Sequence, residues 1–325
     1  MKKLLLLSLS LVLFICSAAA ELAVITPAPV QQIRTEDGSF PVLNADGLLD
    51  EGEFIFKDVD NGIWRYCSTT LRVEIIRYKT TNPRLTWYEA EIIAAPGEAF
   101  HMKSYSETKP MSKVSTPAKV AKVNQCVFAT STDYAHTRLF GKSSYPGVVI
   151  RNGVIYADKT RPITSKFFPN LDVLALYPDG NMEVYRSTVH TAQEYLDMGV
   201  ESTLAFGPVL IKDGEINELA LTTYNQAKNP RLAVGMVEKG HYWCIMVEGR
   251  SNVSSGISLA GLTQMMADKG CTQAFNLDGG GTACMVFMGN QITRVGNARA
   301  SEVAARSTAD VLAIGTSDMV PYNGD

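Results

Sequence analysis

The sequence Asn276-Leu277-Asp278-Gly279-Gly280-Gly281-Thr282 lies between two strand-like runs, 272–275 and 283–287. Glycine loses more backbone entropy on folding than any other residue, so three in succession need a compensating role. One such role is close approach of the backbone to a ligand, because glycine amides can form a concave nest for a phosphate oxygen. Asp278 would then place one carboxylate at the rim. A turn that only reverses the chain is the alternative.

Other polar residues accompany this glycine loop. The loop itself lacks the Gly-Lys-Ser/Thr ending of a P-loop and is not a dinucleotide-binding fingerprint. Glu248-Gly249-Arg250 follows a strand that ends at Val247, and Pro230-Arg231 opens the preceding strand. Arginine binds phosphate in a bidentate manner, so these segments are candidates for the rim of an anion site. Phe206-Gly207-Pro208 is a tight turn before another strand.

Five turn signals between strand-like runs predict β-hairpins. The strongest is Asn152-Gly153, because Asn and Gly both tolerate positive φ at the centre of a two-residue turn. The other four turns are 178–181, 213–214, 238–240 and 289–290. Two further runs, 71–76 and 87–94, also read as strands. The pattern predicts a largely antiparallel sheet.

Helix signals are fewer than strand signals. Thr191-x-x-Glu194 is a capping box that opens a helix over 192–198, and Ser258 caps an apolar stripe that Gly270 ends. Thr116-Pro117 predicts a third, short helix that runs to Asn124. We therefore expect a single α+β domain over 60–316. It combines a largely antiparallel or mixed sheet, built from hairpins, with two or three helices. Residues 21–59 read as irregular and 317–325 as a tail.

The N-terminus reads as an export signal. Lys2-Lys3 precedes a nearly apolar run over 4–15, and Ala18-Ala19-Ala20 supplies the small residues of a cleavage site. A membrane anchor is the alternative, although the run is shorter than the ~20 residues that a membrane-spanning helix needs. Cleavage near Ala20 predicts a secreted or extracytoplasmic protein with no transmembrane span in the mature chain.

Composition excludes several classes of protein. The chain has 325 residues, 46% of them hydrophobic, which suits a globular core and not a disordered chain. Its formal charge of −3 offers no basic field for nucleic acid. The four histidines form no metal-binding pattern, and we expect no metal and no cofactor.

The five cysteines beyond the signal (Cys67, Cys126, Cys244, Cys271 and Cys284) do not form a disulfide framework, and most lie in apolar runs typical of a core. One bridge is conceivable among them, and Cys271 with Cys284 is the favoured pair.

Taken in order, these motifs resemble the phosphodiester glycosidase family. The resemblance covers roughly residues 60–316, from Ile63-Trp64-Arg65-Tyr66 to Arg306-Ser307-Thr308-Ala309-Asp310. It implies hydrolysis of a sugar-1-phosphodiester, with a phosphorylated sugar or polysaccharide as substrate. The residues that the resemblance assigns to substrate or phosphate binding are Arg231, Arg250, Arg306, Asn276, Gly279, Gly280, Gly281, Thr282 and Gly207.

Three carboxylates are the catalytic candidates: Asp278, Glu248 and Asp133. We favour Asp278 as nucleophile or base, since phosphate is a good leaving group and the main demand is stabilisation of an oxocarbenium-like sugar. Retention and inversion stay open.

The sequence departs from the family pattern at Ser131-Thr132, where Asn-Gly is usual, and in Glu248, Thr282 and Asp310. The sequence thus predicts an exported sugar-1-phosphodiester hydrolase that acts on a glycan or cell-envelope polysaccharide. The alternative is a non-catalytic envelope protein that binds phosphorylated glycans in the same cleft.

Overall fold

The computed structural model describes residues 31–106, 108–141, 146–159, 170–222, 224–295 and 304–322, without the side chain of Arg138. The expected signal segment lies outside these residues. None of the helices in the described ranges is long and apolar enough to cross a membrane.

The strands, numbered along the chain, are β1 (Gln32–Ile33), β2 (Glu53–Asp58), β3 (Ile63–Cys67), β4 (Leu71–Thr81), β5 (Arg84–Ala94), β6 (His101–Ser104), β7 (Cys126–Thr130), β8 (Gly147–Arg151), β9 (Val154–Lys159), β10 (Asp172–Leu176), β11 (Met182–Tyr185), β12 (Ser202–Phe206), β13 (Val209–Lys212), β14 (Glu215–Ile216), β15 (Arg231–Glu238), β16 (His241–Val247), β17 (Gln273–Leu277), β18 (Met285–Phe287), β19 (Asn290–Gln291) and β20 (Asp310–Thr316). The helices are α1 (Pro117–Val123), α2 (Ala135–Phe140), α3 (Ala192–Asp197), α4 (Glu218–Thr222) and α5 (Leu259–Asp268).

The strands form three sheets. The largest has ten strands in the order β1-β2-β3-β4-β5-β16-β15-β17-β13-β14, and the two others have five each, ordered β11-β10-β12-β8-β9 and β19-β18-β7-β20-β6. Within the described residues β1 and β2 pair in parallel, and the other named pairs are antiparallel. The expected α+β class with a largely antiparallel, mixed sheet is confirmed.

The core lies between the ten-stranded sheet and the two smaller sheets. Strands β15 to β17 alternate their side chains between two cores, because successive residues of a strand point to opposite faces. Leu232 and Val234 enter the central core, whereas Ala233 packs beneath α5 on the other face. Burial on both faces explains why these strands read as continuous apolar runs.

All five expected hairpins are present, as β8–β9, β10–β11, β13–β14, β15–β16 and β18–β19. Asn152 and Gly153 have φ values of 50° and 76°, the left-handed conformation that their turn demands. The predicted strands at 71–76 and 87–94 are parts of the longer strands β4 and β5, which pair along their full lengths. Cross-strand pairing thus extends strands beyond their apolar alternation.

The three expected helices are confirmed at α1, α3 and α5. Thr191 and Glu194 form both bonds of the capping box, and the Ser258 hydroxyl accepts a hydrogen bond from the Gly261 N–H. The structure adds α2 and α4, so the expected count of two or three helices was too low. The additional helices have six and five residues, too few to show a helical periodicity of apolar residues in the sequence.

Two other expectations need correction. The segment 21–59 is not irregular throughout, because β2 pairs with β3 and extends the ten-stranded sheet. The favoured Cys271–Cys284 bridge is absent: both thiols are free and lie in different core clusters. Burial raises the pKa of each thiol to about 12, so both stay protonated. The domain limits at 60 and 316 stay predictions.

The cysteine arrangement can be tested with a thiol reagent. The five cysteines of the described chain are buried and free, so we expect negligible labelling of the native protein by Ellman's reagent. In denaturant without reductant, protein lacking the leader should give five equivalents. Three equivalents would contradict the structure, and peptide mapping would then test whether Cys271 and Cys284 form the bridge.

Candidate active site

A cavity of about 230 Å³ opens at the glycine loop. It lies where β15 begins and where β16 and β17 end, close to the tight turn after β12. Its lining includes three arginines, one acid and the three glycines; the residues are Phe206, Asn225, Asn229, Pro230, Arg231, Arg250, Asp278, Gly279, Gly280, Gly281 and Arg306. The structure thus brings together residues that are up to 100 positions apart in the sequence. Three cations against one carboxylate favour an anionic ligand.

The glycines are needed because other groups approach the loop closely. A Cβ at Gly279 would lie 2.4 Å from the Pro230 carbonyl oxygen, and one at Gly280 would lie 3.1 Å from Arg250 Nη1. Gly280 also has a φ of 62°, which disfavours other residues. The loop is therefore pressed against the start of β15, and the Arg250 guanidinium lies over it.

The loop amides do not form the expected nest of three donors. Gly280 N–H donates to the Pro230 carbonyl, and Gly279 N–H donates to the Asp278 carboxylate. Within the described chain, Gly281 N–H has no assigned acceptor. The guanidinium groups of Arg250 and Arg306, which lie beside Gly280 and Gly281, supply most of the positive charge at the loop.

Arg250 is oriented by its neighbour Asn229. Its Nε and Nη2 atoms donate to Asn229 Oδ1 at 3.1 and 2.7 Å, which leaves Nη1 on the side of Gly280. The backbone of Arg250 has a φ of 55°, a region that non-glycine residues rarely occupy. Strain of this kind persists where the surroundings enforce it, often at functional sites.

Arg231 is more buried than Arg250 and contacts the backbone. Its guanidinium donates to the carbonyls of Asn225 and Ala227 at 2.8 and 3.1 Å. Burial, together with the charge of Arg250, lowers the pKa of Arg231 to about 10, so it stays charged at neutral pH. Arg231 therefore holds the loop at 225–229 in place and contributes positive charge to the cavity.

Asp278 lies between this cavity and a smaller one of about 40 Å³. Burial raises the pKa of Asp278 to about 6, and the nearby Asp133 charge adds to the increase. Hydrogen bonds from Thr282 and the charge of Arg306 partly oppose it. The carboxyl group therefore changes charge close to neutral pH, as a general base or nucleophile does.

A buried ion triad lies behind Asp278. Arg151 Nε donates to Asp310 Oδ2 at 2.6 Å, and its Nη2 donates to Asp133 Oδ1 at 3.1 Å. Asp133 also accepts hydrogen bonds from the N–H groups of Ala135 and Ala205. These bonds use both carboxylate oxygens of Asp133, which makes it a structural anchor and a charge that acts on Asp278.

The residues of this arrangement lie within a region that matches a known protein family. The model of the phosphodiester glycosidase family matches residues 120–315, which include the glycine loop and all three arginines of the cavity. The chain belongs to the phosphodiester glycosidase family. The resemblance inferred from the motifs is thereby confirmed.

One curated protein is similar in sequence to this member of the phosphodiester glycosidase family. The SPbeta prophage-derived uncharacterized protein YomE of Bacillus subtilis (strain 168) is 30% identical over 174 residues, or 53% of this chain and 26% of that protein. The match thus spans about a quarter of the length of that relative.

Two solved structures share the fold. The zebrafish N-acetylglucosamine-1-phosphodiester alpha-N-acetylglucosaminidase catalytic domain, auto-inhibited by its pro-peptide, superposes with a TM-score of 0.59 at 17% identity, covering 77% of this chain and 85% of that one. A hypothetical protein from Synechocystis gives 0.56 at 10% identity, covering 76% and 62%.

The stretch that departs from the family pattern is part of the buried framework. Thr132 Oγ1 donates to Asp310 Oδ1 at 2.8 Å, and its carbonyl accepts the Asp278 N–H. Ser131 Oγ accepts a hydrogen bond from the Cys284 N–H. In this family member, Thr132 therefore connects the ion triad to the glycine loop, and Ser131 binds the backbone that follows the loop.

Five of the candidate residues do not line the main cavity, namely Asn276, Gly207, Glu248, Thr282 and Asp133. Asn276 is buried and donates from Nδ2 to the Gly207 carbonyl at 2.8 Å, so both residues lie behind the loop and fix the 207–208 turn. Glu248 lines a different cavity, where its Oε1 atom accepts the Arg294 N–H. The chain turns after β16, where Arg250 has a φ of 55°, so Glu248 and Arg250 lie on different sides of this loop.

Thr282 and Asp133 line the smaller cavity together with Asp278 and Arg306. Asn225, Asn229 and Arg151 were not among the predicted site residues. Asn229 directly precedes the Pro-Arg motif, and Arg151 is a charged residue at the end of an apolar strand. Both features of the sequence could have indicated a role at the site. Among the described residues, no group of three or more His, Cys, Asp or Glu side chains could hold a metal ion.

The close approach at Gly279 predicts a large effect of one methyl group. In Gly279→Ala the new Cβ would collide with the Pro230 carbonyl, so we expect a loss of ~1–3 kcal/mol in the free energy of unfolding. Gly97→Ala is the control, because a Cβ there meets nothing within 4 Å; its φ of 92° adds a backbone strain that Gly279 lacks, which makes the comparison a strict one. Urea denaturation measures both variants. A Gly279→Ala protein as stable as wild type would contradict the packing.

The buried triad predicts an asymmetric response to charge removal. Arg151→Met would leave Asp133 and Asp310 buried without their cation, at a cost of ~3–5 kcal/mol. Lys239→Met removes the cation of an exposed ion pair with Asp179 and should cost no more than ~1 kcal/mol. Similar losses for the two variants in chemical denaturation would show that Arg151 is not part of a buried network.

Proposed function

We propose that this protein is an exported hydrolase that cleaves the glycosidic bond of a sugar-1-phosphodiester in a glycan or cell-envelope polysaccharide. Membership of the phosphodiester glycosidase family supports this reaction class. The observation that carries the proposal is the single cavity shared by Asp278, the glycine loop and three arginines. Its charge suits a phosphodiester, and its acid lies beside the cations.

In the proposed mechanism, the phosphodiester lies against Arg250 and Arg306 and the Gly281 N–H. Charge-assisted hydrogen bonds from guanidinium to phosphate oxygen position the group and stabilise negative charge as the C1–O bond breaks. The phosphate monoester leaves with the bonding electrons and needs no proton. Arg231 supports this arrangement by holding the 225–229 loop and adding positive charge.

Asp278 acts at the sugar's anomeric carbon. Among the described residues that line the cavity, it is the only acid. Either its carboxylate attacks C1 to form a glycosyl ester that water then hydrolyses, or it takes a proton from a water that attacks C1 directly. The first route retains and the second inverts the anomeric configuration, so NMR of the first-formed sugar anomer separates them.

The test uses a panel of p-nitrophenyl sugar-1-phosphodiesters. Cleavage at C1 releases free sugar and p-nitrophenyl phosphate, and in oxygen-labelled water the label enters the sugar. Attack at phosphorus would instead release p-nitrophenol and a sugar phosphate, or would put the label into the phosphate. We expect the first pair of products, and a loss of at least ~10³-fold in kcat for Asp278→Asn. Asp197→Asn, an exposed residue of α3 remote from the cavity, is the matched control and should retain wild-type turnover.

The pH dependence follows from the raised pKa of Asp278. Because the ionised carboxylate is the active form, turnover should rise with pH through about 6. In the folded protein that ionised form is disfavoured, so Asp278→Asn should be more stable than wild type by ~1–3 kcal/mol at pH 7. This gain should disappear near pH 4, where the wild-type carboxyl is protonated.

Each outcome decides between the proposals. Equal turnover by wild type and Asp278→Asn would refute the role of Asp278. Binding of the phosphodiesters without any turnover would favour the non-catalytic glycan-binding alternative, which the substituted stretch at 131–132 motivates. Cleavage at phosphorus would exclude a glycosidase.

A further inference from the structure

A second and larger cavity, of about 660 Å³, lies beside the first. We call it the hairpin groove. Its lining comes from the ends of β4 and β5, the loop after β16 and the segment after β19; the residues are Arg77, Lys79, Thr80, Thr81, Arg84, Thr86, Tyr88, Glu248, Asn252, Val253 and Arg294.

The pairing of β4 with β5 explains why the groove is lined in this way. Arg77 lies opposite Tyr88, Lys79 opposite Thr86, and Thr81 opposite Arg84. Side chains two apart on a strand share a face, so these six residues present one continuous polar face near the end of the hairpin. The other face carries Tyr78 stacked on Trp87.

The groove concentrates positive charge on a chain whose formal net charge is −3. Four cations line it, namely Arg77, Lys79, Arg84 and Arg294, against the single carboxylate of Glu248. Two of the arginines also support neighbouring backbone, since Arg77 donates to the Asp60 carbonyl and Arg84 to the Asn252 carbonyl. Lys79 and Arg294 are exposed. An anionic group is therefore the favoured occupant.

The carboxylate of the groove suits a hydroxylated ligand. Glu248 is only 3% exposed, and it accepts hydrogen bonds from the Arg294 N–H and from the Tyr88 hydroxyl. A carboxylate has further acceptor capacity for sugar hydroxyls. Val253, which is 41% exposed, adds an apolar surface of the kind against which a sugar ring packs.

One loop separates the hairpin groove from the first cavity. Glu248 lines the groove and Arg250, two residues later, lines the first cavity. The loop is fixed to the hairpin, because Glu248 N–H donates to the Thr86 carbonyl and Ser255 N–H to the Arg84 carbonyl, both at 3.0 Å. Two residues span at most ~7 Å, so neighbouring units of one ligand can reach both cavities.

We propose that the hairpin groove is a second subsite that binds an anionic sugar unit, attached through the phosphodiester that the first cavity holds. This inference rests on the proposed function. The cations bind the phosphate or carboxylate of that unit, and Glu248 accepts its hydroxyls. The protein thus prefers charged over neutral sugars on the phosphate side of the scissile bond.

The test compares three substrates that share one sugar-1-phosphate donor and differ in the sugar esterified to it: glucose, glucuronic acid or glucose 6-phosphate. We expect kcat/KM to be about five- to tenfold higher for the two charged substrates than for the neutral one. The ratio should decrease with added salt. In the double variant Lys79→Ala/Arg294→Ala, the ratio should fall close to 1.

Lys109→Ala is the matched control, since Lys109 is exposed and lines neither cavity; it should keep the wild-type ratio. A preference for only one of the two charged substrates would identify phosphate or carboxylate as the group that is recognised. Equal kcat/KM for all three substrates with wild type would overturn the proposal.

A binding measurement separates this inference from the proposed function. Calorimetry with glucose 6-phosphate should show binding that persists in Arg250→Ala, which alters the first cavity, and weakens about fivefold or more in Lys79→Ala/Arg294→Ala. That result without turnover of any substrate would refute the hydrolase and keep the groove. Binding lost in Arg250→Ala and unchanged in the double variant would refute the groove.

Discussion

The candidate active site depends on the contact between two stretches of backbone, the glycine loop and the residue that precedes β15. Gly279 lies so close to the Pro230 carbonyl that a side chain has no room, and Gly280 N–H donates to the same oxygen. This contact sets the distance between β15 and β17 at their ends. It also positions the arginines on either side of Asp278, so one tight approach determines the shape and charge of the cavity.

The ion triad supports this contact from behind. Arg151, Asp133 and Asp310 come from three different segments, and Thr132 connects them to the backbone of Asp278. A buried network of this kind contributes little to stability when complete, but it is costly to disrupt. Its effect at the site is electrostatic, because the Asp133 charge favours the protonated form of Asp278. Residues behind the cavity thereby influence the pH at which Asp278 ionises.

Local signals predicted much of the fold, whereas the site required tertiary information. Turn chemistry such as Asn152-Gly153 and caps such as Thr191 act within a few residues, so hairpins and the longer helices are visible in the sequence. Asp278, Arg231 and Arg250 were identified because their motifs occur in a recognisable order. Glu248 and Asn276 belong to the same motifs, but Asn276 lies on the other face of β17 and Glu248 lies on the other side of the loop after β16. Arg151 was missed because its partners are 18 and 159 positions distant.

The buried, unpaired cysteines have a consequence for how the protein is made. Each thiol behaves as a small apolar side chain, and burial keeps it protonated. Within the described chain no disulfide has to form for the sheets to assemble, so folding requires no thiol oxidase and no disulfide isomerase. The same native packing is accessible in a reducing cytosol and in an oxidising compartment, and recombinant protein from either should be interchangeable.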